Sequence, residues 1–221
     1  MHVENRTSER SLTVLVIVES LQLFLIAPLA AETRVPAWTF FFMIALNVAI
    51  VLSVVWHRRS AAIAVVAAAL IETLAVALRV FSRSTQTEAL DFVAALILLI
   101  ALTVVVGMTI FGPGRVTVHR VVGAVAIYLN IALAFALAYR LISALSPTAF
   151  SAGLATSGHP LTTLIYFSFS TITTTGYGDI VPVDPVARSL TNVESVIGQL
   201  FPATLLARLI TLELEHRREL R

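Results

Sequence analysis

The run Pro160-Leu161-Thr162-Thr163-Leu164-Ile165-Tyr166-Phe167-Ser168-Phe169-Ser170-Thr171-Ile172-Thr173-Thr174-Thr175-Gly176-Tyr177-Gly178-Asp179 decides how this chain is read. Its first part, Leu161 to Thr173, is apolar and rich in hydroxyls. As a helix rising ~1.5 Å per residue it is far too short to cross an apolar layer of about 30 Å. Pro160 suits a first helical position, where a missing N–H costs nothing. The second part, with Gly176 and Gly178 on either side of Tyr177, does not continue a helix. The stretch therefore predicts a re-entrant helix that goes part of the way in and returns as extended backbone.

The composition around it agrees. Of 221 residues 58% are hydrophobic and only 13% charged, with mean hydropathy +0.92. The apolar residues come in blocks of about 20, the length that matches a bilayer core. The expectation is an all-α integral membrane protein. There is no cysteine, so neither disulfides nor thiolate metal sites are available. All 15 basic residues are Arg, and with the heavy use of Ala, Val and Leu this hints at a GC-rich bacterial genome. A net charge of +2 is a poor argument for nucleic-acid binding, and no such partner is expected. No clustered His, nucleophile elbow or phosphate loop suggests an enzyme, and no cofactor is expected.

Six spans are predicted, at about 11–31, 37–56, 61–81, 89–111, 120–145 and 185–213. The breaks are Glu32 to Pro36, His57 to Ser60, Ser82 to Glu88, and Gly112-Pro113-Gly114-Arg115. Arg6, Arg10, Arg58, Arg59, Arg115, Arg120, Arg217, Arg218 and Arg221 fall on one side; Arg34, Arg83 and Arg188 fall on the other. Positive charge stays in the cytoplasm, which predicts both termini inside and the Ser151–Asp184 stretch outside. Residues 1–31 also resemble a secretory leader, with an apolar run before Ala27-Pro28-Leu29-Ala30-Ala31. Glu4, Glu9 and Glu19 count against that reading, and a first span is expected instead.

Thr171-Ile172-Thr173-Thr174-Thr175-Gly176-Tyr177-Gly178-Asp179 resembles the signature of tetrameric potassium channels, usually Thr-Val-Gly-Tyr-Gly-Asp. The resemblance is close over about residues 120–213 and includes Ile197-Gly198-Gln199-Leu200; residues 1–114 share only the number of preceding spans. It implies a cell-membrane channel subunit working as a homotetramer, with K+ as the permeant ion held at Thr174, Thr175, Gly176 and Tyr177. A dehydrated cation needs a column of oxygens, and carbonyls supply them without full charge. Aiming successive carbonyls one way demands unusual dihedrals, which Gly176 and Gly178 permit. The Thr174 hydroxyl can add one oxygen at the inner end, and Gly178 completes the filter. The Tyr177 ring suits a place behind it, with the hydroxyl finding a partner.

By the same resemblance Asp179 stands at the outer mouth, Tyr166 and Phe167 form an aromatic cuff, and Ser170 occupies a filter-support position that some bacterial members fill with glutamate. Thr175 replaces the usual valine and keeps its β-branch. Gly198, 20 residues beyond Gly178, and Pro202 together mark a gate hinge, with close helix packing as the alternative for Gly198. Asp184-Pro185 is expected to cap the last helix.

Residues 1–114 are thus expected as a four-helix peripheral domain, 115–213 as the helix–pore loop–helix unit, and 214–221 as a short tail, with no ligand-binding domain and with membrane lipid as surroundings. Ala89 to Phe111 contains no basic residue. Each charge moved through the field is worth ~2.3 kcal/mol per 100 mV, so steep voltage gating is not expected. Glu19, Asn47, Glu72, Arg79, Asn130, Arg140 and Glu194 fall within spans; Arg79 and Arg140 are near enough to span ends to snorkel. Glu194, one turn before Gly198, is either a cavity carboxylate attracting cations or a hydrogen-bonded group behind the re-entrant helix. His159, just before Pro160, is a candidate pH sensor, because a helix N-terminus disfavours a protonated imidazole. A potassium uptake transporter has four pore-loop repeats with reduced filters in one chain, and a non-selective cation channel lacks an intact Gly-Tyr-Gly; neither fits this sequence as well.

Overall fold

A computed structural model describes residues 2–32, 37–55, 59–82, 84–111, 117–151 and 160–219. Within them every regular element is a helix; residues 146–151 and 173–184 are turns and extended backbone joined by one isolated antiparallel bridge between Phe150 and Pro182. The helices are α1 (His2–Leu21), which passes through a π-turn (Gln22–Ile26) into α2 (Ala27–Glu32), then α3 (Ala37–Val55), α4 (Arg59–Phe81), α5 (Thr85–Ile110), α6 (Val118–Leu145), α7 (Pro160–Ile172) and α8 (Pro185–Glu219). The π-turn has a local cause. Pro28 has no N–H for the carbonyl of Phe24 and crowds it, and the helix absorbs this with an i→i−5 bond from Ala27 N–H to Gln22 O.

α5 begins earlier than the predicted 89–111 span: Ser84, placed in a break, caps it in a reciprocal box with Thr87. Two start signals read in the sequence do fall where helices begin. Asp184 Oδ1 accepts from the N–H groups of Val186 at 2.8 Å and Ala187 at 3.4 Å, and Pro185 takes the first position of α8. Pro160 opens α7 in the same way.

Four helical stretches are long and apolar enough to cross a membrane: Ser11–Leu29, Arg59–Phe81, Thr85–Ile110 and Val118–Leu145. The other two predicted spans do not meet that measure among the described residues. The apolar part of α3 that is described, Phe42–Val54, is short, and α8 carries Arg188, Glu194 and Arg208 along its length. Pro160–Ile172 is apolar and short, as expected.

Three clusters of buried side chains hold these helices together, the smallest being Phe92 and Leu99 of α5 with Leu137 of α6. In the largest, Leu12 and Leu15 of α1, Val51 of α3, Val65 of α4 and Leu98 to Ile110 of α5 meet Ala124, Ala126 and Ile127 of α6. Burial of Leu12 and Leu15 makes α1 part of the core. Gly123 allows the close approach, since a Cβ there would come 3.0 Å from Ile110. The second core is aromatic and surrounds α7: Tyr139, Phe150, Leu164, Phe167, Ile180 and Ala187. Burying each aromatic ring contributes about 1.5–3 kcal/mol. This core fixes the height and rotation of α7 between α6 and α8.

Candidate functional site

The backbone leaving α7 folds back along the helix it has just left. Thr174 N–H donates to Thr171 O at 2.9 Å, Thr175 N–H to Ser170 O at 2.9 Å, Gly176 N–H to Ser170 O at 3.1 Å, and Tyr177 N–H to Ser170 Oγ at 3.4 Å. No described peptide bond is cis. In a planar trans peptide the N–H of one residue and the C=O of the residue before it point opposite ways. Four successive N–H groups turned toward the last turn of α7 therefore turn the carbonyls of Thr173, Thr174, Thr175 and Gly176 away from it. That side of the subunit is open: Thr173 to Asp179 are all exposed.

The dihedrals carry the same pattern. φ is +59° at Thr174, +58° at Gly176 and +80° at Gly178, with no positive φ at the residues between. Alternating hands keep the peptides facing one way, where an ordinary strand would alternate them. The two glycines adopt this at little cost; for Thr174 the left-handed region costs roughly 1–2 kcal/mol.

Side chains fix the segment from behind. Ser170, placed in the sequence as filter support, is buried and supplies both its carbonyl and its hydroxyl to the returning N–H groups. The Thr175 hydroxyl pairs with Thr173 Oγ1 at 2.9 Å. Gln199 Nε2 of α8 donates to Thr174 Oγ1 at 3.3 Å. Tyr177 stacks on Tyr166, centroids 5.8 Å apart at 10°. Tyr166 and Asp179 line one shallow groove together with Thr162, Thr163 and Ile180. The aromatic pair Tyr166 and Phe167 divides its work. Tyr166 faces Tyr177, while Phe167 is buried in edge contact with Tyr139 at 5.2 Å and Phe150 at 5.6 Å.

α8 seats the end of α7 at Gly198. A Cβ there would come 2.8 Å from the carbonyl carbon of Ile172, and closer still to its oxygen, so only glycine fits. Tyr128 of α6 holds the same carbonyl by a hydroxyl hydrogen bond of 3.0 Å. Close packing, the second of the two readings of Gly198, is thus its observed environment. Pro202 lies inside α8, which runs through it as one helix.

Glu194 does not line an open face of α8; of its two readings, the second, a hydrogen-bonded group behind the re-entrant helix, is its observed environment. It has no exposed surface and lies behind α7, bonded to Tyr139 Oη at 2.6 Å and to Ser168 Oγ. Helix rotation at that position is set by the Gly198 notch four residues on. His159 lies outside the described residues.

Sequence reasoning missed Tyr128, Tyr139, Ser168 and Gln199. One signal was available: all four tyrosines of the chain, 128, 139, 166 and 177, touch this site. It also missed two carboxylates on α5. Arg79 and Arg140 do not simply snorkel; they pair with Asp91 and Glu88, and the Arg140 guanidinium lies 4.9 Å from the Phe92 ring centre. Among the described residues no group of three His, Cys, Asp or Glu is gathered as a metal site.

Fold and site together define an all-helical membrane protein with a short helix and a returning oxygen-bearing segment held between two long helices. Residues 127–214 match the family model described as "Ion channel", and the match covers α6 from Ile127, α7, the returning segment and most of α8. This supports an ion channel in place of an enzyme. No curated protein and no solved structure matches the chain.

Proposed function

We propose that this chain is one subunit of a homotetrameric, potassium-selective channel of the bacterial cell membrane, with Thr174-Thr175-Gly176-Tyr177-Gly178 as its selectivity filter. The observation that carries the reading is the set of four N–H groups tied back to α7, which leaves a row of carbonyl oxygens on the exposed side. Carbonyl dipoles can replace the hydration shell of a monovalent cation. One such row cannot surround an ion, whereas four around a rotation axis can. The open face of the subunit is also apolar where a neighbour would pack, with Val186, Val193, Val196 and Leu200 exposed on α8.

The six spans, both termini inside and the α7 loop outside follow from the arginine distribution. Exposed Ile63, Leu70 and Leu74 on α4 and Ile97, Ile100 and Val104 on α5 suit contact with lipid acyl chains. Permeation is passive and not steeply voltage-dependent, since α5 has no basic residue and its Asp91 and Glu88 instead hold Arg79 and Arg140 of neighbouring helices. Gly198 and Pro202 bound the segment of α8 that would bend in gating, and Asp179 sets the charge of the outer mouth.

The test is the reversal potential of purified, reconstituted protein between potassium on one side and sodium on the other. A strong preference for potassium is expected; equal permeabilities would make this a non-selective cation pore.

A further inference from the structure

Glu194 lies buried among three helices, and counting hydrogens assigns it a proton. Tyr139 Oη donates to Glu194 Oε2 at 2.6 Å, and Glu194 Oε1 lies against Ser168 Oγ. The same Ser168 Oγ is 2.6 Å from the carbonyl oxygen of Ala132, which can only accept. A serine hydroxyl carries a single hydrogen. When Ser168 gives it to Ala132, the contact with Glu194 requires a hydrogen from the carboxyl group. When Ser168 gives it to Glu194, two bare oxygens face each other at the Ala132 carbonyl. Charge argues the same way. In the described ion pairs Arg79 and Arg140 go to Asp91 and Glu88, and neither reaches Glu194. An ionised carboxylate buried without a counter-charge is among the most expensive groups a protein can hold.

We infer that Glu194 is a neutral carboxylic acid and the positioning residue of the returning segment: it accepts from Tyr139, donates to Ser168, and so seats α7 between α6 and α8. Its consequence for ion selection rests on the filter reading above. The path is short. Ser168 stands two residues before Ser170, whose carbonyl and hydroxyl receive the N–H groups of Thr175, Gly176 and Tyr177. Glu194 and Gly198 stand one turn apart on the same face of α8, so one face supplies both the donor and the notch that receives Ile172. Loss of the donor frees α7 to shift, and the carbonyl row shifts with it.

The experiment uses the full chain in liposomes with three variants. Glu194→Gln keeps a donor for Ser168 and an acceptor for Tyr139. Glu194→Ala takes the acceptor from Tyr139 Oη and leaves Ser168 tied to Ala132 alone. Ser168→Ala breaks the same link from the other side and leaves α8 untouched. Three readouts are taken: assembly by size-exclusion chromatography, the potassium-to-sodium permeability ratio, and the infrared C=O stretch of a protonated carboxyl group. The expected result is that Glu194→Gln keeps the wild-type ratio within about twofold, while Glu194→Ala and Ser168→Ala lower it about tenfold in protein that still assembles. The carboxylic-acid band should be present in wild type and missing from Glu194→Gln. Should Glu194→Ala fail to assemble, Ser168→Ala decides. Absence of the band, or a conductance lowered by Glu194→Gln with the ratio unchanged in Ser168→Ala, would overturn the inference and return Glu194 to the role of a cavity charge. If wild type itself does not distinguish potassium from sodium, the filter reading fails, whereas the band and the rescue of assembly by Gln still decide the role of Glu194.

Discussion

The peripheral helices and the α6–α8 unit treat buried polar groups differently. Before α6, the side-chain atoms Glu19 Oε2, Asn47 Oδ1, Glu72 Oε2, Asp91 Oδ1 and Thr117 Oγ1 are buried without a hydrogen-bond partner among the described residues. From α6 onward no described side-chain atom is in that position, and Asn130, Ser168, Ser170 and Glu194 are all buried and bonded. Each unpaired buried group costs about 1–3 kcal/mol. The α6–α8 unit avoids that cost because its polar groups fix the direction of a backbone row, where a slip of one donor displaces every oxygen after it. The peripheral bundle carries the cost, and its charges serve instead to tie α4 and α6 to α5 through Arg79–Asp91 and Arg140–Glu88.

The contrast can be broken at its strongest point. Gly178→Ala places a Cβ at φ +80°, where nothing crowds it within 4 Å, so its whole effect is on the dihedral. At roughly 1–2 kcal/mol per copy, in each of four copies, potassium selectivity should be abolished in reversal-potential measurements. Tyr177→Ala, which removes the stack on Tyr166, should do the same.

A somewhat smaller effect is expected at the seat of α7. Gly198→Ala drives a methyl group into the Ile172 carbonyl and should lower the thermal stability of the assembled protein by about 1–3 kcal/mol of overpacking per copy, with loss of current. Pro202→Ala adds back a backbone donor without any clash. It should leave selectivity intact and change only the open probability in single-channel records. Equal behaviour of the two variants would remove the distinction between seat and hinge.

Voltage sharpens the comparison from the peripheral side. With no basic residue in α5, the conductance–voltage curve should be shallow. Several gating charges per subunit would show that the peripheral bundle moves as a sensor after all. Within that bundle, Glu72→Gln replaces a buried carboxyl group by an amide of the same shape. It should leave the permeability ratio within about twofold of wild type and alter stability by about 1 kcal/mol or less in thermal unfolding. A loss of selectivity there would erase the difference between the two units.

The smallest effect concerns His159, just before Pro160 in the sequence. External acid between about pH 8 and 5 should reduce the current more in wild type than in His159→Gln. Identical titrations would dismiss this histidine as a sensor.

Much of this protein could be read from local rules. The helix predicted at 61–81 is observed as Arg59–Phe81 and that at 120–145 as Val118–Leu145, because apolar blocks of that length satisfy their backbone most simply as helices. Asp184-Pro185 marks a helix start through bonds that reach only two or three residues along the chain. Gly176 and Gly178 announced positive φ, since no other residue takes it so freely. Thr174 did not announce it, and only its bonded surroundings hold it there.

What spacing could not decide was which way a side chain faces once its helix has been rotated by its neighbours. Glu194 reads the same in sequence whether it lines a cavity or lies behind α7; the notch at Gly198 turns it inward. Arg79 and Arg140 look able to snorkel until α5 brings Asp91 and Glu88 beside them from 12 and 52 residues away. Ser168 is one hydroxyl among many in its helix until Ala132 and Glu194 both claim it. Helix positions follow from interactions within a few residues of chain. Partners across helices follow from close packing, which fixes rotation and height only when all the neighbours are in place.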